Sequence, residues 1–438
     1  MKLRERAAKG AAAGLHRECA PEQTYERVRP HFRSVGITRV ADITGLDRIG
    51  IPVYNAMVPR SNDVLSVFSG KGATPADAKT SAVMEAIERF AGALPLRPTR
   101  VAAYDDLVAA GGAVMRPGEL NLELRPQYRD ELPIYWVPGY DLRTEETVLV
   151  PQGAVTYSVD PGAPACYRLA TANGLASGNT LEEAVCHALC ELIERDALTI
   201  AEILSSRLVN ALATGQLGPA RSAAQTAWLR ELHPQIDPDA LPPRATELLD
   251  RFRAAGVDVR LLSIASDLGV PTVLAVSTED NGPATSKAHT GIGTSPDAEV
   301  AVLRAITECA QSRAVDVQAT REDFEPPAAD VPDFRLFAKR VSTVDKDAWP
   351  WRAAGEQVRL ADLATHRSDD IVADIRFMLD RLRDRQLGRV VAVDVSPPGI
   401  PVRVARVLVP GLESWGTDRS RIGVRAARAW NEAIAACR

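Results

Sequence analysis

Three segments of the chain combine helical periodicity with apolar residues over most of their circumference. They begin at Thr74, Thr180 and Asp297 and read TPADAKTSAVMEAIER, TLEEAVCHALCELIER and DAEVAVLRAITECAQS. A helix that is apolar on nearly every side is buried inside a protein. The pattern therefore predicts three buried helices. Their predicted ranges are 75–92, 178–198 and 298–316.

The rest of the chain alternates short β-branched runs, typical of strands, with amphipathic helical stretches. Strands are predicted within 36–54, 134–142 and 147–155, as a hairpin over 260–277, and at RVVAVDV and VRVARVLVPG; helices are predicted near 221–255, at DDIVADIRFMLDRLRD and at VRAARAWNEAIAAC. These elements interleave without regular βαβ spacing. The predicted fold class is therefore α+β with mixed and antiparallel sheets rather than a doubly wound parallel sheet.

The 438 residues are long for one ordinary core but suit a single elaborated domain. We expect a tail and lead-in segment at 1–44, of which the first fifteen or so residues are a loose tail. A catalytic domain is expected over 45–438, interrupted at 320–345 by a proline-rich connection that contains DFEPPAADVPDF.

The three predicted helices share one register. Each begins at a good N-cap residue, has alanine four positions later (Ala78, Ala184 and Ala301), and has glutamate seven positions after that. Glu183 completes a predicted capping box at Thr180, and Asp77 approximates one at Thr74. Residues spaced four and three apart share a helix face. The resulting stripes are Ser81, Glu85 and Glu88; His187, Glu191 and Glu194; and Arg304, Glu308 and Gln311.

These polar stripes are candidates for a binding site. A charged stripe is ordinarily a solvated face, but here it is narrow and recurs three times in helices that belong inside. Buried carboxylates must be paired or bound to metal, and carboxylates together with phosphate oxygens suit Mg²⁺. Arg304 could hold a phosphate directly. We expect that the faces of these helices form a site for a magnesium-bound nucleotide. His187 is expected to line this site, and the sequence does not assign it a chemical role.

Other site types fit the sequence less well. SGKGAT at 69–74 resembles a phosphate-binding loop, but Gly72 follows Lys71 and the required upstream glycine is Leu65. A di-iron bundle needs Glu-x-x-His, which is absent after Glu85 and Glu191. Cys186 and Cys190 lie off the acidic stripe and are expected to be packed core thiols rather than metal ligands.

Composition limits the classes of partner and the cellular compartment expected for the protein. Lys and Arg total 52 and Asp and Glu total 57, a net charge of −5, so no basic field indicates nucleic acid. Six scattered cysteines do not form a secreted disulfide pattern. No apolar run reaches the length of a membrane helix, and the N-terminus lacks the apolar centre of a signal peptide. A cytoplasmic protein is expected.

The same segments resemble a known family. SAVMEAIER, NGLASGNTLEEAVCHALCELIERDA and GIGTSPDAEVAVLRAITECAQSR are similar to the three signature segments of YcaO-domain proteins, and the resemblance covers about residues 45–415. It implies a YcaO-type fold and ATP-dependent activation of a peptide backbone amide. A nucleophile adds to the amide carbonyl, ATP phosphorylates the oxygen, and loss of phosphate leaves an azoline, a thioamide or an amidine.

The resemblance also implies roles for individual residues, with ATP and Mg²⁺ as cofactors. Catalytic roles fall to Arg304 and Glu308; nucleotide binding to Lys71, Ser81, Asn179, Glu183, Arg195, Arg304 and Gln311; and metal binding to Glu85, Glu88, Glu191, Glu194 and Glu308. Simpler alternatives remain. Glu183 could serve capping alone, Lys71 could be a solvated lysine, and Arg195 could form a structural ion pair with Asp196. Gly174, Gly178, Gly291 and Gly293 are expected to permit tight strand-to-helix turns.

The subclass depends on the C-terminal part of the chain. The final residues AWNEAIAACR lack the Pro-x-Pro-x-Pro tail of many azoline-forming members, and 402–416 is similar to members encoded beside TfuA. This implies thioamide formation with a precursor peptide or protein, a TfuA-like partner, a sulfur donor and a homodimeric assembly. The alternatives are an azoline-forming cyclodehydratase acting on Cys, Ser or Thr, and a non-catalytic ATP-binding accessory protein.

Overall fold

The computed structural model describes nine stretches of the chain. They are residues 1–10, 16–61, 65–156, 165–168, 171–278, 288–319, 349–353, 355–415 and 421–436. The predicted proline-rich connection at 320–345 lies outside these residues.

The strands of the described residues form three sheets. They are β1 (Arg39–Asp42), β2 (Val53–Met57), β3 (Val67–Lys71), β4 (Arg100–Ala102), β5 (Ile134–Asp141), β6 (Thr147–Pro151), β7 (Leu175–Gly178), β8 (Gln235–Ile236), β9 (Asp258–Ser263), β10 (Thr272–Thr278), β11 (His289–Thr294), β12 (Gln357–Val358), β13 (Val391–Asp394) and β14 (Arg403–Leu408). The sheet orders are β1-β2-β3, β11-β10-β9-β8-β12, and β4-β5-β13-β14-β7 with β6 beside β5. Strands β8 and β12 pair in parallel, whereas the long pairs are antiparallel. The predicted fold class, α+β with mixed and antiparallel sheets, is confirmed.

The helices include all three predicted buried ones. They are α1 (Pro21–Val28), α2 (Phe32–Val35), α3 (Pro75–Ala93), α4 (Tyr104–Ala109), α5 (Gln152–Val155), α6 (Leu181–Glu202), α7 (Val209–Ala213), α8 (Pro243–Ala254), α9 (Ala298–Ala319), α10 (Trp349–Arg352), α11 (Ile371–Asp384) and α12 (Val424–Ala436), and a π-helical turn at Ile203–Leu208 joins α6 to α7. The helix predicted near 221–255 is wrong in extent, because only 243–254 is a long helix. The predicted 260–277 hairpin is confirmed as β9 and β10.

Each buried helix packs closely on the strand that precedes it, in the pairs β3–α3, β7–α6 and β11–α9. Glycines make this approach possible. A Cβ atom on Gly291 would lie 2.1 Å from the backbone nitrogen of Cys309, and one on Gly70 would lie 2.0 Å from that of Ala82. The expectation that Gly291 serves a turn is therefore wrong, since it lies inside β11 against α9. Gly174, with φ of +79°, occupies a turn that favours glycine, but this turn leads into β7 rather than from a strand to a helix.

The N-terminal cap of α3 agrees with expectation, whereas that of α6 differs from it. Thr74 and Asp77 form a complete capping box. The Thr180 hydroxyl accepts from the Glu183 backbone nitrogen at 3.4 Å, but the Glu183 carboxylate accepts from the Asn179 backbone nitrogen at 2.9 Å. The capping box predicted for Glu183 is therefore wrong, because its carboxylate is used by other donors.

The N-terminal segment is not a loose tail over its described residues. Ala7 is 1% exposed, and the adjacent Ala8 pairs with Asp370 through an isolated β-bridge. The Lys9 ammonium lies 2.6 Å from the Asp374 carboxylate of α11. Basic residues of this segment thus neutralise acids that the folded core would otherwise leave buried and unpaired. The domain boundary at residue 44 stays a prediction.

The C-terminal helix α12 is attached to α6 through a buried ion pair. The Arg425 guanidinium donates to the Asp196 carboxylate at 2.9 and 2.8 Å, and the side chain of Asp196 is fully buried. The Glu413 carboxylate accepts from the backbone nitrogens of Gly423 and Ala426 at the start of α12. The partner of Asp196 is therefore Arg425 and not Arg195, contrary to the structural pair considered from the sequence.

We predict that Arg425→Leu lowers the free energy of unfolding by about 3–5 kcal/mol, because it leaves the Asp196 carboxylate buried without its cation. Arg428→Leu on the exposed side of the same helix is the matched control, with an expected change within about 0.5 kcal/mol. Urea denaturation measures both. Equal midpoints for the two variants would contradict the buried pair as a stabilising contact.

Candidate functional site

The three acidic stripes converge on one region between α3, α6 and α9. Lys71, at the end of β3, forms an ion pair with Glu308 of α9. Arg195 of α6 lies 3.5 Å from Glu191 and 3.8 Å from Glu194. The α3 stripe faces the same region, because the charges of Lys71, Glu191 and Glu308 all act on Glu85. The predicted convergence of the stripes is therefore observed, and Lys71 is not a solvated lysine.

Backbone nitrogens of neighbouring strands hold one oxygen of three of these carboxylates. Glu88 accepts from the Ser177 nitrogen of β7 at 2.8 Å, and Glu191 accepts from the Gly174 nitrogen at 3.0 Å. Glu308 accepts from the Ile292 nitrogen of β11 at 3.3 Å. One oxygen orients each side chain. The second oxygen of Glu88 is left for a ligand, whereas that of Glu191 lies 3.5 Å from Arg195 and that of Glu308 pairs with Lys71.

Negative charge in the site is only partly compensated. Burial, together with the charges of Glu85 and Glu191, raises the pKa of Glu88 to about 8. Burial, together with the nearby Glu308 charge, raises the pKa of Glu194 to about 7. Burial alone would also raise the pKa of Glu308, but Lys71 and Arg195 outweigh it and lower that pKa. A cation entering the site would relieve the repulsion among these acids.

The donor set fits Mg²⁺ held partly by a ligand rather than by a complete protein cage. The Glu85 carboxylate has no hydrogen-bond or ion-pair partner among the described residues. Within the same residues, no group of three acidic, histidine or cysteine side chains is close enough to hold a metal ion alone. Mg²⁺ is commonly bound by one or two carboxylates plus substrate phosphates and water. The arrangement therefore fits an ion that arrives with a phosphate ligand.

The remaining predicted residues lie around this centre. The Arg304 guanidinium donates to the Thr294 carbonyl oxygen at 2.8 Å, and the Gln311 side-chain amide donates to the Ser69 carbonyl oxygen at 2.6 Å. Ser81 is half-buried on α3. Cys190, 2% exposed, packs with its sulfur 3.8 Å from that of Met378 in α11, as expected for a core thiol.

Asn179 and Glu183 are held by the N-terminal part of the chain. The side-chain oxygen of Asn179 accepts from the Thr24 hydroxyl at 2.8 Å, and the Glu183 carboxylate accepts from the Glu18 backbone nitrogen at 2.7 Å. Arg17 contacts Glu183 at 3.4 Å. Sequence reasoning missed Arg17, Glu18 and Thr24, because no periodic pattern links them to residues about 160 positions later.

We predict that Glu88→Gln stabilises the metal-free protein, and that the gain is larger at about pH 8 than at about pH 6. The unfolded chain releases the Glu88 proton near its ordinary pKa of 4.5, whereas the folded site retains it up to about 8. The wild-type carboxyl therefore costs stability as pH rises through this window, by up to ~1.4 kcal/mol per pH unit.

Urea denaturation in the presence of a chelator measures this effect. The control is Glu247→Gln on the exposed side of α8, whose stability relative to wild type should change little between the two pH values. A Glu88→Gln difference that is the same at both pH values would contradict the raised pKa.

Comparison with known proteins identifies the family. A family model described as YcaO cyclodehydratase, ATP- and Mg²⁺-binding, matches residues 69–413. The chain belongs to the YcaO family. Its resemblance to YcaO-domain proteins is thereby confirmed, and the expected cofactors, ATP and Mg²⁺, agree with the description of the family.

Two relatives are similar over nearly the whole chain. An uncharacterised protein of Methanothermobacter thermautotrophicus is 34% identical over 92% of this chain and 97% of its own length. An uncharacterised protein in the tfuA 3′ region of Rhizobium leguminosarum bv. trifolii is 34% identical over 93% of this chain and 91% of its own length. The second relative agrees with the expected likeness to TfuA-associated members.

Two solved structures share the fold. YcaO from Methanopyrus kandleri, bound with AMPPCP and Mg²⁺, is 26% identical with a TM-score of 0.68, and covers 95% of this chain and 98% of that one. A heterocyclase in complex with substrate and cofactor has a TM-score of 0.73 at 21% identity, covering 94% of this chain. This chain spans about half, 54%, of that heterocyclase. At that identity the likeness concerns the fold alone.

Among the described residues, no helix is both long enough and apolar enough to cross a bilayer.

Proposed function

We propose that this YcaO protein is an ATP-dependent enzyme that converts a backbone amide of a peptide or protein into a thioamide. The observation that carries the proposal is the convergence of three acidic stripes beside Lys71 and Arg195. The thioamide assignment is supported by the relative in a tfuA 3′ region, which is 34% identical over 93% of this chain.

The proposed roles combine those implied by the resemblance to the family with the contacts of the side chains. Glu85, Glu88, Glu191, Glu194 and Glu308 would hold Mg²⁺, with three of them oriented by backbone nitrogens. ATP, when bound, supplies the phosphoryl group that turns the amide oxygen into a leaving group. Sulfide adds to the amide carbon, and the resulting oxygen takes the phosphoryl group from ATP with release of ADP. The carbon–oxygen bond then breaks as phosphate and the sulfur proton leave, which gives the thioamide.

Cationic and polar side chains would position the nucleotide. Arg304, fixed by its bond to the Thr294 carbonyl, would act with Glu308 at the transferred phosphoryl group, where a guanidinium offsets developing charge. Lys71 and Arg195 would neutralise phosphate oxygens. Ser81, Gln311, Asn179 and Glu183 would complete the nucleotide contacts, the last two at the nucleoside.

Azoline formation is the second candidate, favoured by the description of the matching family as cyclodehydratases. In that reaction a Cys, Ser or Thr side chain of the substrate replaces sulfide as the nucleophile. A non-catalytic ATP-binding accessory role is the third. The peptide substrate, a TfuA-like partner, a sulfur donor, a homodimer and a cytoplasmic location stay predictions.

The product separates the two enzymatic reactions. Mass spectrometry of a candidate peptide, incubated with the protein, ATP, Mg²⁺, sulfide and a TfuA-like partner, should reveal the exchange of one oxygen for sulfur. Loss of one water would instead establish azoline formation. Nucleotide binding without ATP turnover under these conditions would favour the accessory role.

We predict that Glu191→Gln and Glu85→Gln each reduce ATP turnover by about 100-fold or more, because each removes a negative oxygen ligand of Mg²⁺. Residues that merely orient metal ligands already account for about 10- to 100-fold effects. Phosphate release measures turnover, and Glu247→Gln on α8 is the control with unchanged activity. Normal turnover in both site variants would refute the site formed by the helix stripes.

A further inference from the structure

His187 occupies the middle of the α6 stripe, four residues from Glu183 and four from Glu191. At a rise of about 1.5 Å per residue, these two glutamates are about 12 Å apart along the helix, with the imidazole midway. His187 is partly buried, and the charges of Arg304 and Lys71, which lie beside the acidic stripes, act on it. It therefore lies between the proposed nucleoside contacts and the proposed metal contacts.

One contact fixes the tautomer of this imidazole. The Nδ1 atom of His187 lies 3.3 Å from a guanidinium nitrogen of Arg17. A guanidinium can only donate hydrogen bonds, so Nδ1 must accept and carry a lone pair. In the neutral ring the proton is then on Nε2, which becomes a hydrogen-bond donor.

The surroundings keep the ring neutral. Burial, followed by the positive charges of Arg17, Arg304 and Lys71, holds the pKa of His187 well below its usual range. No described residue accepts a hydrogen bond from its Nε2. A neutral donor without a protein acceptor, surrounded by three cations, is suited to an anionic oxygen from a ligand.

We propose that His187 is a nucleotide-binding residue that donates its Nε2 proton to a phosphate oxygen of ATP, while Arg17 fixes the tautomer. This inference rests on the proposed function as far as ATP binding, and it holds for either thioamide or azoline chemistry. His187 is not the general base of the reaction, because its lone pair is directed at the Arg17 guanidinium.

The decisive comparison is His187→Gln with His187→Leu. A glutamine amide can accept from Arg17 through its oxygen and donate through its nitrogen, whereas leucine can do neither. Isothermal titration with AMPPCP and Mg²⁺ should give the Gln variant an affinity within a few-fold of wild type. The Leu variant should bind roughly 10- to 100-fold more weakly, the usual effect of losing a hydrogen bond to a charged group.

Two further titrations separate a phosphate contact from a structural effect. Adenosine, which lacks phosphate, should bind the wild type and the Leu variant equally. Thermal unfolding without nucleotide should give similar midpoints for all three proteins. If the Leu variant does not fold, the Gln variant and the spectroscopic signature below decide the question.

Nitrogen-15 NMR of the nucleotide-free, metal-free protein reports the tautomer directly. His187 should have an unprotonated Nδ1 and a protonated Nε2, with no titration as pH falls to about 6. Arg17→Met should remove this preference, because methionine cannot donate to Nδ1.

Three results would overturn the inference. They are wild-type nucleotide affinity in a folded Leu variant, equal weakening in the Gln and Leu variants, and a proton on Nδ1 in the wild type. A wild-type protein that binds no AMPPCP with Mg²⁺ would instead overturn the proposed function, and this inference with it.

Discussion

Repulsion between converging carboxylates is the constraint on which the rest of this structure depends. Glu85, Glu88, Glu191 and Glu194 lie close enough to act on one another, and burial raises the pKa of Glu88 to about 8. Such a cluster costs free energy when it is empty and ionised. A fold that retains it must hold the acids in place by other contacts, and a bound cation would offset the cost.

Those contacts come from a closed ring of three strand–helix units. Each helix packs on its own preceding strand and also contacts the strand of the next unit, with α3 against β7, α6 against β11 and α9 against β3. The bonds from Ser177 to Glu88 and from Gln311 to Ser69 are two of these cross-contacts. Helix register and carboxylate orientation are therefore fixed together.

The two ends of the described chain support α6, which lies at the centre of the site. At its beginning, Glu18 and Arg17 contact Glu183. Beyond its acidic stripe, Arg425 pairs with Asp196, one residue after Arg195. The acids of α6 are thus held at both ends by segments distant in sequence, and their positions depend on the whole fold.

The fold class, the three buried helices and the composition of their polar stripes could all be predicted from the amino-acid sequence. This is possible because burial and helix periodicity are local properties that a pattern of residues records. Thr74, Thr180 and the alanines at 78, 184 and 301 belong to the same local pattern.

Which charged side chains pair with each other could not be predicted from the sequence and depends on the folded chain. Lys71 pairs with Glu308, Asp196 with Arg425 rather than Arg195, and Glu183 with the N-terminal segment rather than with its own cap. Gly291 serves close packing rather than a turn. These outcomes join residues up to about 240 positions apart, and the chain folding in three dimensions, not its local periodicity, brings them within hydrogen-bonding distance.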